Sequence, residues 1–379
     1  MEPVKILFFM NSLKVGGAER QTIHLINRLN REKYSVGLVY LAEVEDLKPS
    51  LETKDLFTCE CFARKGKLDF SVLKKLHQII STHGVQLVVC VEEYPLLYTS
   101  LLRLIFRNIS TKVITVIHHN IHLPNLWVQA KKYIYRICIN SVDKVIFVCH
   151  NQAQYWYLNN GIHKSISTVI YNGIDPAFFN PARFTLPEKN RLRESLQFSK
   201  DDFVVGICAR MNPVKRHIDF LEGLALVKKD GIQIKGLLIG DGPERGNIEK
   251  AAGQLGLLDD VAFTGFQQDV RPYIALCDCI AITSRSEAFS MAALETMAME
   301  KPLVMAISGG ADEQIKDGET GFLYTFGQID DLASHLTWLA KNREKAREMG
   351  SKARAFLLKG FTLSTMTRSY EANFDQFFS

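Results

Sequence analysis

The sequence of 379 residues has no uninterrupted apolar run of the roughly 18 residues that a membrane-spanning helix needs. The best candidate, around 96–106, is interrupted by Arg103. The N-terminal apolar stretch is short and lacks the small-residue cleavage site of a signal peptide. We interpret this stretch as a first buried strand and expect a cytoplasmic protein, with peripheral contact with the inner face of the cell membrane as an open alternative.

Two kinds of short motif are also missing. The eight cysteines include the close pairs 59/61 and 277/279, but one residue separates each pair instead of the two that are typical of zinc and thioredoxin-like sites. We expect all eight to be reduced thiols. The dinucleotide fingerprint G-x-G-x-x-G is absent, because the nearest stretch, 240–246, has its last glycine one residue too late. A disulfide framework and a dehydrogenase are therefore disfavoured.

The net charge of +5 is small but unevenly distributed. Residues 1–170 hold 21 Lys and Arg against 13 Asp and Glu, whereas residues 171–379 hold 25 against 28. A basic first half indicates an anionic partner such as a membrane surface or a lipid phosphate. The alternative is a solvated, lysine-rich face. No motif indicates nucleic-acid binding.

Short apolar runs alternate with amphipathic stretches, and the whole pattern occurs twice. The runs are rich in Val and Ile and apolar at successive positions, which is typical of parallel strands buried on both faces. They lie at 4–10, 34–41, 85–91, 112–117 and 143–149, and again at 202–208, 232–240, 261–265, 279–284 and 302–306. Helical spacing is found between them, for example at 18–29, 71–81, 216–229, 243–255 and 291–300. The pattern predicts an α/β protein with two doubly wound, Rossmann-like parallel sheets.

The domain boundary is predicted within 171–189, which is rich in Pro, Asn and Gly and reads as a linker. The first domain would then span 1–170 and the second 190–360. Residues 361–379 place apolar side chains at near-helical spacing, and we expect a terminal helix that crosses back to complete the first domain. Because ligands of such sheets bind outside the carboxyl ends of the strands, we expect the site in the loops that follow strands.

Two of these loops suit a phosphate ligand. Gly16 and Gly17 follow the first strand and open a helix, where free backbone N–H groups could face an anion. Arg210 and Lys215 share the loop after the first strand of the second domain, where two cations could hold a diphosphate and offset the charge of a departing phosphate. The alternatives are a plain tight turn for the glycines and ordinary surface charges for the cations.

A third loop carries two carboxylates eight residues apart, Glu287 and Glu295. Eight helical residues would turn them away from each other, so both could face one ligand only if Glu287 lies in the loop before the helix. Backbone N–H groups from Phe289 onward would then be available to phosphate oxygens. Either glutamate alone is also explained by the preference of acidic residues for a helix start.

Three histidines, His118, His119 and His122, follow the predicted strand 112–117. Because 118 and 122 are spaced i,i+4, the cluster could bind zinc. The H-E-x-x-H motif is absent, however, and the cysteine pairs are wrongly spaced to contribute, so we predict no metal.

Seven motifs in order resemble family 4 of the retaining, nucleotide-sugar-dependent glycosyltransferases, also called glycosyl transferases group 1. They are Gly16-Gly17-Ala18-Glu19-Arg20, Asn172-Gly173-Ile174-Asp175, Arg210 with Lys215, Gly240-Asp241-Gly242-Pro243, Glu287 with Glu295, Gly309-Gly310 with Glu313, and Asp317-Gly318 with Gly321-Phe322. The resemblance extends from residue 4 to about 375. It implies the GT-B fold of two facing Rossmann-like domains, the first binding the acceptor and the second the nucleotide sugar.

The resemblance implies transfer of a hexose-type sugar from a nucleotide diphosphate to an acceptor hydroxyl. UDP is the implied nucleotide, with GDP as its competitor, and no metal or other cofactor is required. The implied acceptor is a glycan or a lipid-linked precursor of a bacterial surface polysaccharide such as lipopolysaccharide. A nucleotide-sugar 2-epimerase of the same fold and a non-catalytic nucleotide-sugar-binding protein are the alternatives.

The resemblance also assigns roles to single residues. His119 would lie near the anomeric carbon and the acceptor, with His118 as the second choice. Gly16 and Gly17 would lie in the loop beneath the diphosphate, and Arg210 and Lys215 would bind the diphosphate. Glu295 would bind the ribose, and Glu287 would bind hydroxyls of the donor sugar. The remaining roles are contacts of the Phe289, Ser290 and Met291 N–H groups with phosphate and sugar, and a place for Phe266 beside the base.

Overall fold

Two parallel β-sheets, one in each of two units, organise the chain. The computed structural model describes residues 2–66, 68–106, 110–118 and 126–378, with residues 126–132 described for their backbone only. The first unit consists of residues 1–173 together with 363–379, and the second of residues 174–362. The two Rossmann-like parallel sheets predicted from the sequence are confirmed.

In the described part of the first unit, seven strands pair in the order β3-β2-β1-β4-β5-β6-β7. The strands are β1 (Val4–Met10), β2 (Tyr34–Tyr40), β3 (Leu56–Cys61), β4 (Leu87–Val91), β5 (Lys112–Ile117), β6 (Lys144–Phe147) and β7 (Ser167–Val169). The helices that follow them are α1 (Gly17–Arg28), α2 (Phe70–His83), α3 (Glu93–Ile105), α4 (Leu126–Asn140) and α5 (His150–Asn160). All strand pairs are parallel, so each connection must cross over the sheet.

The described part of the second unit has six parallel strands in the order β10-β9-β8-β11-β12-β13. They are β8 (Phe203–Cys208), β9 (Ile234–Ile239), β10 (Val261–Gly265), β11 (Cys279–Ile282), β12 (Leu303–Ala306) and β13 (Gly321–Tyr324). The helices are α6 (Leu186–Ser195), α7 (His217–Lys229), α8 (Arg245–Gln254), α9 (Arg271–Leu276), α10 (Met291–Ala298), α11 (Ala311–Gln314), α12 (Ile329–Lys341) and α13 (Arg343–Gly360). A final helix, α14 (Leu363–Asp375), belongs to the first unit.

The local sequence explains where several helices begin and end. Asp69 caps α2 by accepting a hydrogen bond from the Ser71 N–H, and Gly84 ends that helix with a left-handed φ of 63°. Thr185 and Glu188 form a capping box at the start of α6. These side chains satisfy backbone groups that a helix end leaves without an intrahelical partner.

Alternate residues of the first sheet enter two hydrophobic cores. One core lies under α2, α3, α4 and α5, and the other lies under α1 and α14. Since both faces are covered, the central strands are buried at nearly every position, which explains their continuous apolar sequence. All eight cysteines are free thiols, as the sequence predicts.

The returning helix α14 is fixed to the first unit by apolar and polar contacts. The ring of Phe374 is fully buried and packs edge-on against Tyr34, with ring centroids 5.9 Å apart. The Tyr34 hydroxyl donates to the Asp375 carboxylate and to the Glu371 carbonyl oxygen, the latter at 3.2 Å. These contacts anchor a segment that follows the second unit in the chain.

In each sheet the strand order reverses between two neighbouring strands. β1 lies beside β4 in the first unit, and β8 lies beside β11 in the second. At such a point the loops from the two strands turn away in opposite directions and leave a crevice at the carboxyl ends. In the second unit both of these loops carry motifs singled out in the sequence, and in the first unit the loop after β1 does.

We expect Phe374→Ala to destabilise the first unit by about 3–5 kcal/mol, because it removes a fully buried ring from the α14 core. The measurement is the free energy of unfolding by urea. Arg368→Ala, on an exposed position of the same helix, is the control and should change it little. A Phe374→Ala protein as stable as this control would show that α14 does not contribute to the fold.

Candidate active site

The ion pair between Lys215 and Glu287 lies at the crevice between β8 and β11 of the second unit. The Lys215 ammonium donates to Glu287 Oε1, and both side chains are largely buried, with 25% and 15% of their surface exposed. The two residues are 72 positions apart in the sequence. The sequence analysis expected them to bind different parts of one donor, and the structure brings their charged groups together.

Lys215 is held by its backbone. It ends a short 3₁₀ turn, Pro213–Lys215, in which the Asn212 side chain accepts hydrogen bonds from the N–H groups of Val214 and Lys215 at 3.1 and 3.2 Å. The buried hydroxyl of Thr283, just after β11, donates to the Lys215 carbonyl oxygen at 2.8 Å. The loops after β8 and β11 are thereby joined at the residue that carries the ammonium group.

The start of α7 places a buried polar group behind Lys215. Arg216 adopts a left-handed φ of 52° and forms an ion pair with the buried Asp219 carboxylate, with Nη2 2.6 Å from Oδ1. His217 is only 2% exposed. Burial lowers its pKa to about 4, and the positive charge of Lys215 acts in the same direction. His217 is therefore neutral beside a charged lysine at neutral pH.

The segment that carries Glu287 rests on the glycines that follow β12. A Cβ built at Gly309, whose φ is 51°, would lie 1.9 Å from the Glu287 carbonyl oxygen. The Gly310 N–H donates to the Ala288 carbonyl oxygen at 2.9 Å. Only glycine permits this close approach at 309, which gives the Gly309-Gly310 motif a structural reason.

The structure places Glu287 before α10 and Glu295 in its second turn, as the sequence analysis required. Glu295 is buried, and Met291 is half-buried at the first position of the helix. Phe289 is also buried and packs against Phe361, with ring centroids 5.5 Å apart. Whether Glu295 contacts a ribose remains a prediction.

One predicted role falls on a backbone group that already has a partner in the fold. The Ser290 N–H, which we expected to face a phosphate, donates to Gln314 Oε1 at 2.9 Å. Ser290 itself caps α10, since its hydroxyl accepts from the Ala293 N–H at 3.4 Å. A neighbouring side chain therefore already satisfies this N–H, so a phosphate would need other donors of the segment.

The loops after β8, β9 and β10 lie close together. A Cβ at Gly240 would lie 2.1 Å from the Ala209 carbonyl oxygen, and one at Gly242 would lie 2.3 Å from that of Met211. Arg210, between these contacts, has an exposed side chain. Phe266, directly after β10, is 64% exposed, so its ring is accessible to a base.

In the first unit, Gly16 accommodates a side chain of its own helix. A Cβ at Gly16 would lie 2.2 Å from Glu19 Oε2. Glu19 is buried, its Oε1 lies 3.5 Å from Lys14 Nζ, and burial raises the pKa of its carboxyl group. Gly17, the first residue of α1, is exposed. Gly16 thus lies beside the Glu19 carboxylate, and the roles of Gly16 and Gly17 at a diphosphate stay predictions.

The histidine cluster is described only in part. His118 follows β5 and lines a small space with Gln21 and Tyr370. His119 and His122 lie outside the described residues, so the catalytic role of His119 and the alternative zinc site both stay open.

The anionic partner expected for the basic first unit stays a prediction, although one of its arginines is paired within the fold. Arg103 Nη1 lies 3.2 Å from Asp143 Oδ2, so this guanidinium is already paired with a carboxylate. Arg136 of α4 is exposed, whereas Arg107 and the side chains of Lys131 and Lys132 lie outside the described residues. Within the described part of the chain, no helix is long and apolar enough to span a membrane.

The sequence analysis missed three residues that build the site: Gln314, Thr283 and Asp219. Each is a polar side chain that is nearly or fully buried. A polar residue directly beside an apolar strand or a glycine motif is a weak signal for such a role, and only the tertiary contacts identify the partner.

Family models match both units. Residues 15–178 match the model described as Glycosyltransferase Family 4, and residues 188–356 match the one described as Glycosyl transferases group 1. The chain is also similar in structure to HepE of Anabaena in complex with UDP, at a TM-score of 0.85 and 26% identity, covering 98% of this chain and 100% of that one.

Two curated relatives are similar over part of their length. N-acetyl-alpha-D-glucosaminyl L-malate synthase of Bacillus anthracis is 29% identical over 236 residues, which are 62% of this chain and 60% of the relative. The lipopolysaccharide core biosynthesis glycosyltransferase LpsE of Rhizobium meliloti (strain 1021) is 29% identical over 133 residues, 35% of this chain and 39% of that protein. This chain thus matches less than two thirds of either relative.

We expect His217 to make stability depend on pH. The unfolded imidazole takes up a proton below its ordinary pKa of 6.5, whereas the folded one does so only below about 4. Stability should therefore fall as the pH drops from about 6.5 towards 4, by about 2 kcal/mol between pH 7 and pH 5. The measurement is urea unfolding at both pH values.

His217→Gln removes this titrating group and serves as the comparison. The unfolding free energy of the parent protein should drop by about 2 kcal/mol more than that of the variant over the same pH interval. Parallel pH profiles for the two proteins would show that His217 is not buried as the structure has it.

Proposed function

This chain belongs to the family 4 glycosyltransferases with the GT-B fold, and we propose that it moves a hexose-type sugar from a nucleotide diphosphate to an acceptor hydroxyl with retention of configuration. The observation that carries the proposal is the Lys215–Glu287 pair at the crevice between β8 and β11. A cation for phosphate and a carboxylate for sugar hydroxyls stand together where this kind of sheet binds its ligands.

The electrostatics of this crevice suit a departing phosphate. Asn212 and Thr283 hold the backbone of Lys215, and Glu287 holds its ammonium group, so a cation would already stand where the negative charge grows. Arg210, exposed on the same loop, would add a second cation on the diphosphate. Two such cations take the role that a metal ion plays in other phosphate-transfer sites, and we propose a metal-independent reaction.

The proposed reaction is a displacement on one face of the sugar. The acceptor oxygen forms a bond to the anomeric carbon while the bond from that carbon to the phosphate oxygen breaks. The acceptor proton passes to the leaving phosphate, and the bond electrons remain on the nucleotide diphosphate. Lys215 and Arg210 would stabilise this leaving group, and Glu287 would fix the sugar hydroxyls so that the reacting atoms stay aligned. Gly17, Glu295 and His119 keep the roles that the family resemblance implies.

UDP is the nucleotide that we propose. HepE of Anabaena was solved with UDP and also with UDP-glucose, the latter at 25% identity and a TM-score of 0.83. The exposed ring of Phe266 after β10 would stack on the base.

For the acceptor we propose a lipid-linked glycan of a bacterial surface polysaccharide, reached by peripheral contact with an anionic membrane. The similarity to LpsE supports this class of acceptor. The α4 outer face, defined here as Tyr133, Ile134, Arg136 and Ile137, supports the contact. Its three apolar side chains are 65%, 52% and 54% exposed beside an exposed arginine. Such a combination of apolar and basic groups suits the boundary of an anionic bilayer.

Lys215→Ala should lower kcat by about 100-fold or more, because it removes a fixed cation from the leaving phosphate and leaves Glu287 without its partner. The measurement is UDP release from a panel of UDP-hexoses in the presence of lipid-linked acceptors, with and without EDTA. Arg210→Ala should act in the same direction, and EDTA should have no effect.

The matched control for this experiment is Lys229→Ala, which removes an exposed lysine from the last turn of α7. It should keep full activity. Undiminished activity of Lys215→Ala would refute the assignment. Conversion of the UDP-sugar into an epimeric UDP-sugar without any acceptor would instead favour a nucleotide-sugar epimerase.

We expect the protein to bind vesicles that contain phosphatidylglycerol at low salt. A double variant, Ile134→Ser with Ile137→Ser, should weaken that binding by about tenfold, because both exposed side chains would insert at the interface. Cosedimentation with vesicles measures the binding, and vesicles of pure phosphatidylcholine test whether it requires an anionic lipid. Leu258→Ser, at an exposed position of the second unit, is the control. Equal binding of all variants would exclude the α4 outer face as the contact.

A further inference from the structure

We infer that Gln314 is a positioning residue that sets the place of Glu287 relative to Lys215 by clamping the backbone of Ser290. The inference rests on the proposed function, because it assigns Glu287 to the donor sugar. Gln314 ends the short helix α11, five residues after the Gly309 contact, and none of its surface is exposed.

The side-chain amide of Gln314 holds both polar groups of one residue. Its Oε1 accepts from the Ser290 N–H at 2.9 Å, and its Nε2 donates to the Ser290 carbonyl oxygen, also at 2.9 Å. Ser290 is 3% exposed, so bulk water cannot compete for these groups. Two bonds from one planar amide fix the orientation of this residue as well as its distance.

The clamp completes a contact along the whole segment 287–290. At its first residue, the Glu287 carbonyl oxygen approaches Gly309 so closely that a Cβ there would clash. At its second, the Ala288 carbonyl oxygen accepts from the Gly310 N–H. At its last, Gln314 binds Ser290 on both sides. The loop that runs from Gly309 to Gln314 therefore determines where Glu287 stands.

The Gln314 amide meets both demands of this position with two separate atoms. The Ser290 N–H needs an acceptor and the Ser290 carbonyl oxygen needs a donor, and a carboxylate or a thioether offers at most one of these functions. Loss of the clamp would leave the buried Ser290 N–H without a partner and its carbonyl oxygen with only the 3.4 Å bond from the Leu294 N–H, so the segment would shift towards water. Glu287 is three residues away on the same segment, and a shift of about 1 Å at a site group can cost up to about 100-fold in rate.

The test is Gln314→Met, which keeps the length of the side chain and removes both hydrogen bonds. We expect kcat/KM for the UDP-sugar to fall between about tenfold and 100-fold. The affinity for free UDP, which lacks the sugar that Glu287 would hold, should change less than threefold by titration calorimetry.

Two controls separate positioning from general destabilisation. Thr296→Val removes a buried hydroxyl bond to the Ala292 carbonyl oxygen within α10, and it should leave kcat/KM unchanged. Leu336→Ala lowers the unfolding temperature through a buried position of α12, outside the site. Measured well below that temperature, its kcat/KM should equal that of the parent protein.

The outcomes distinguish this inference from the proposed function. If the parent protein is active and Gln314→Met retains its kcat/KM, Gln314 is not a positioning residue. A loss shared equally by UDP affinity and kcat/KM, or matched by Leu336→Ala, would show a merely structural role. If the parent protein binds no nucleotide and transfers no sugar, the proposed function itself fails.

Discussion

The adjacency of β8 and β11 is the constraint on which the candidate site depends. These strands are distant in sequence but neighbours in the sheet, and the order of strands reverses between them. The loops after β8 and β11 are therefore neighbours, and the Thr283 hydroxyl after β11 donates to the Lys215 carbonyl oxygen in the loop after β8. With the backbones joined in this way, the Lys215 ammonium and the Glu287 carboxylate meet across 72 residues of sequence.

The sequence predicts those strands that are buried on both faces. β1 and β5 have the bounds that the apolar runs indicate, β8 begins one residue later than its run, and the bounds of β9 differ by one or two residues at either end. β10 also has the predicted bounds, although it lies at an end of its sheet and is half-buried throughout. The strands that the analysis missed are β3, β7 and β13, and each lies at an end of its sheet. An end strand is covered less completely, so β3 mixes exposed and half-buried positions and lacks the continuous apolar pattern that reveals a central strand.

The candidate site could be predicted as a set of loops but not as a set of contacts. Motif spacing places Glu287 before a helix and Glu295 within it, and the structure has both there. Motif spacing cannot show that the Ser290 N–H donates to Gln314, or that Arg103 is paired with Asp143. Each of these contacts depends on how distant segments pack. The sequence shows which charges and hydrogen-bond donors are present, but tertiary packing determines which partner each of them contacts.

The neutral state of His217 follows from the same packing. Lys215 keeps part of its surface exposed, whereas His217, two residues later, is buried under the start of α7. Because burial and the lysine charge both lower the pKa of the imidazole, protonation of His217 would place a second positive charge behind the ammonium in a poorly solvated region. The depth of His217 therefore keeps its imidazole neutral beside the charged lysine at neutral pH. Lys215 and His217 are thus parts of one electrostatic arrangement at the start of α7.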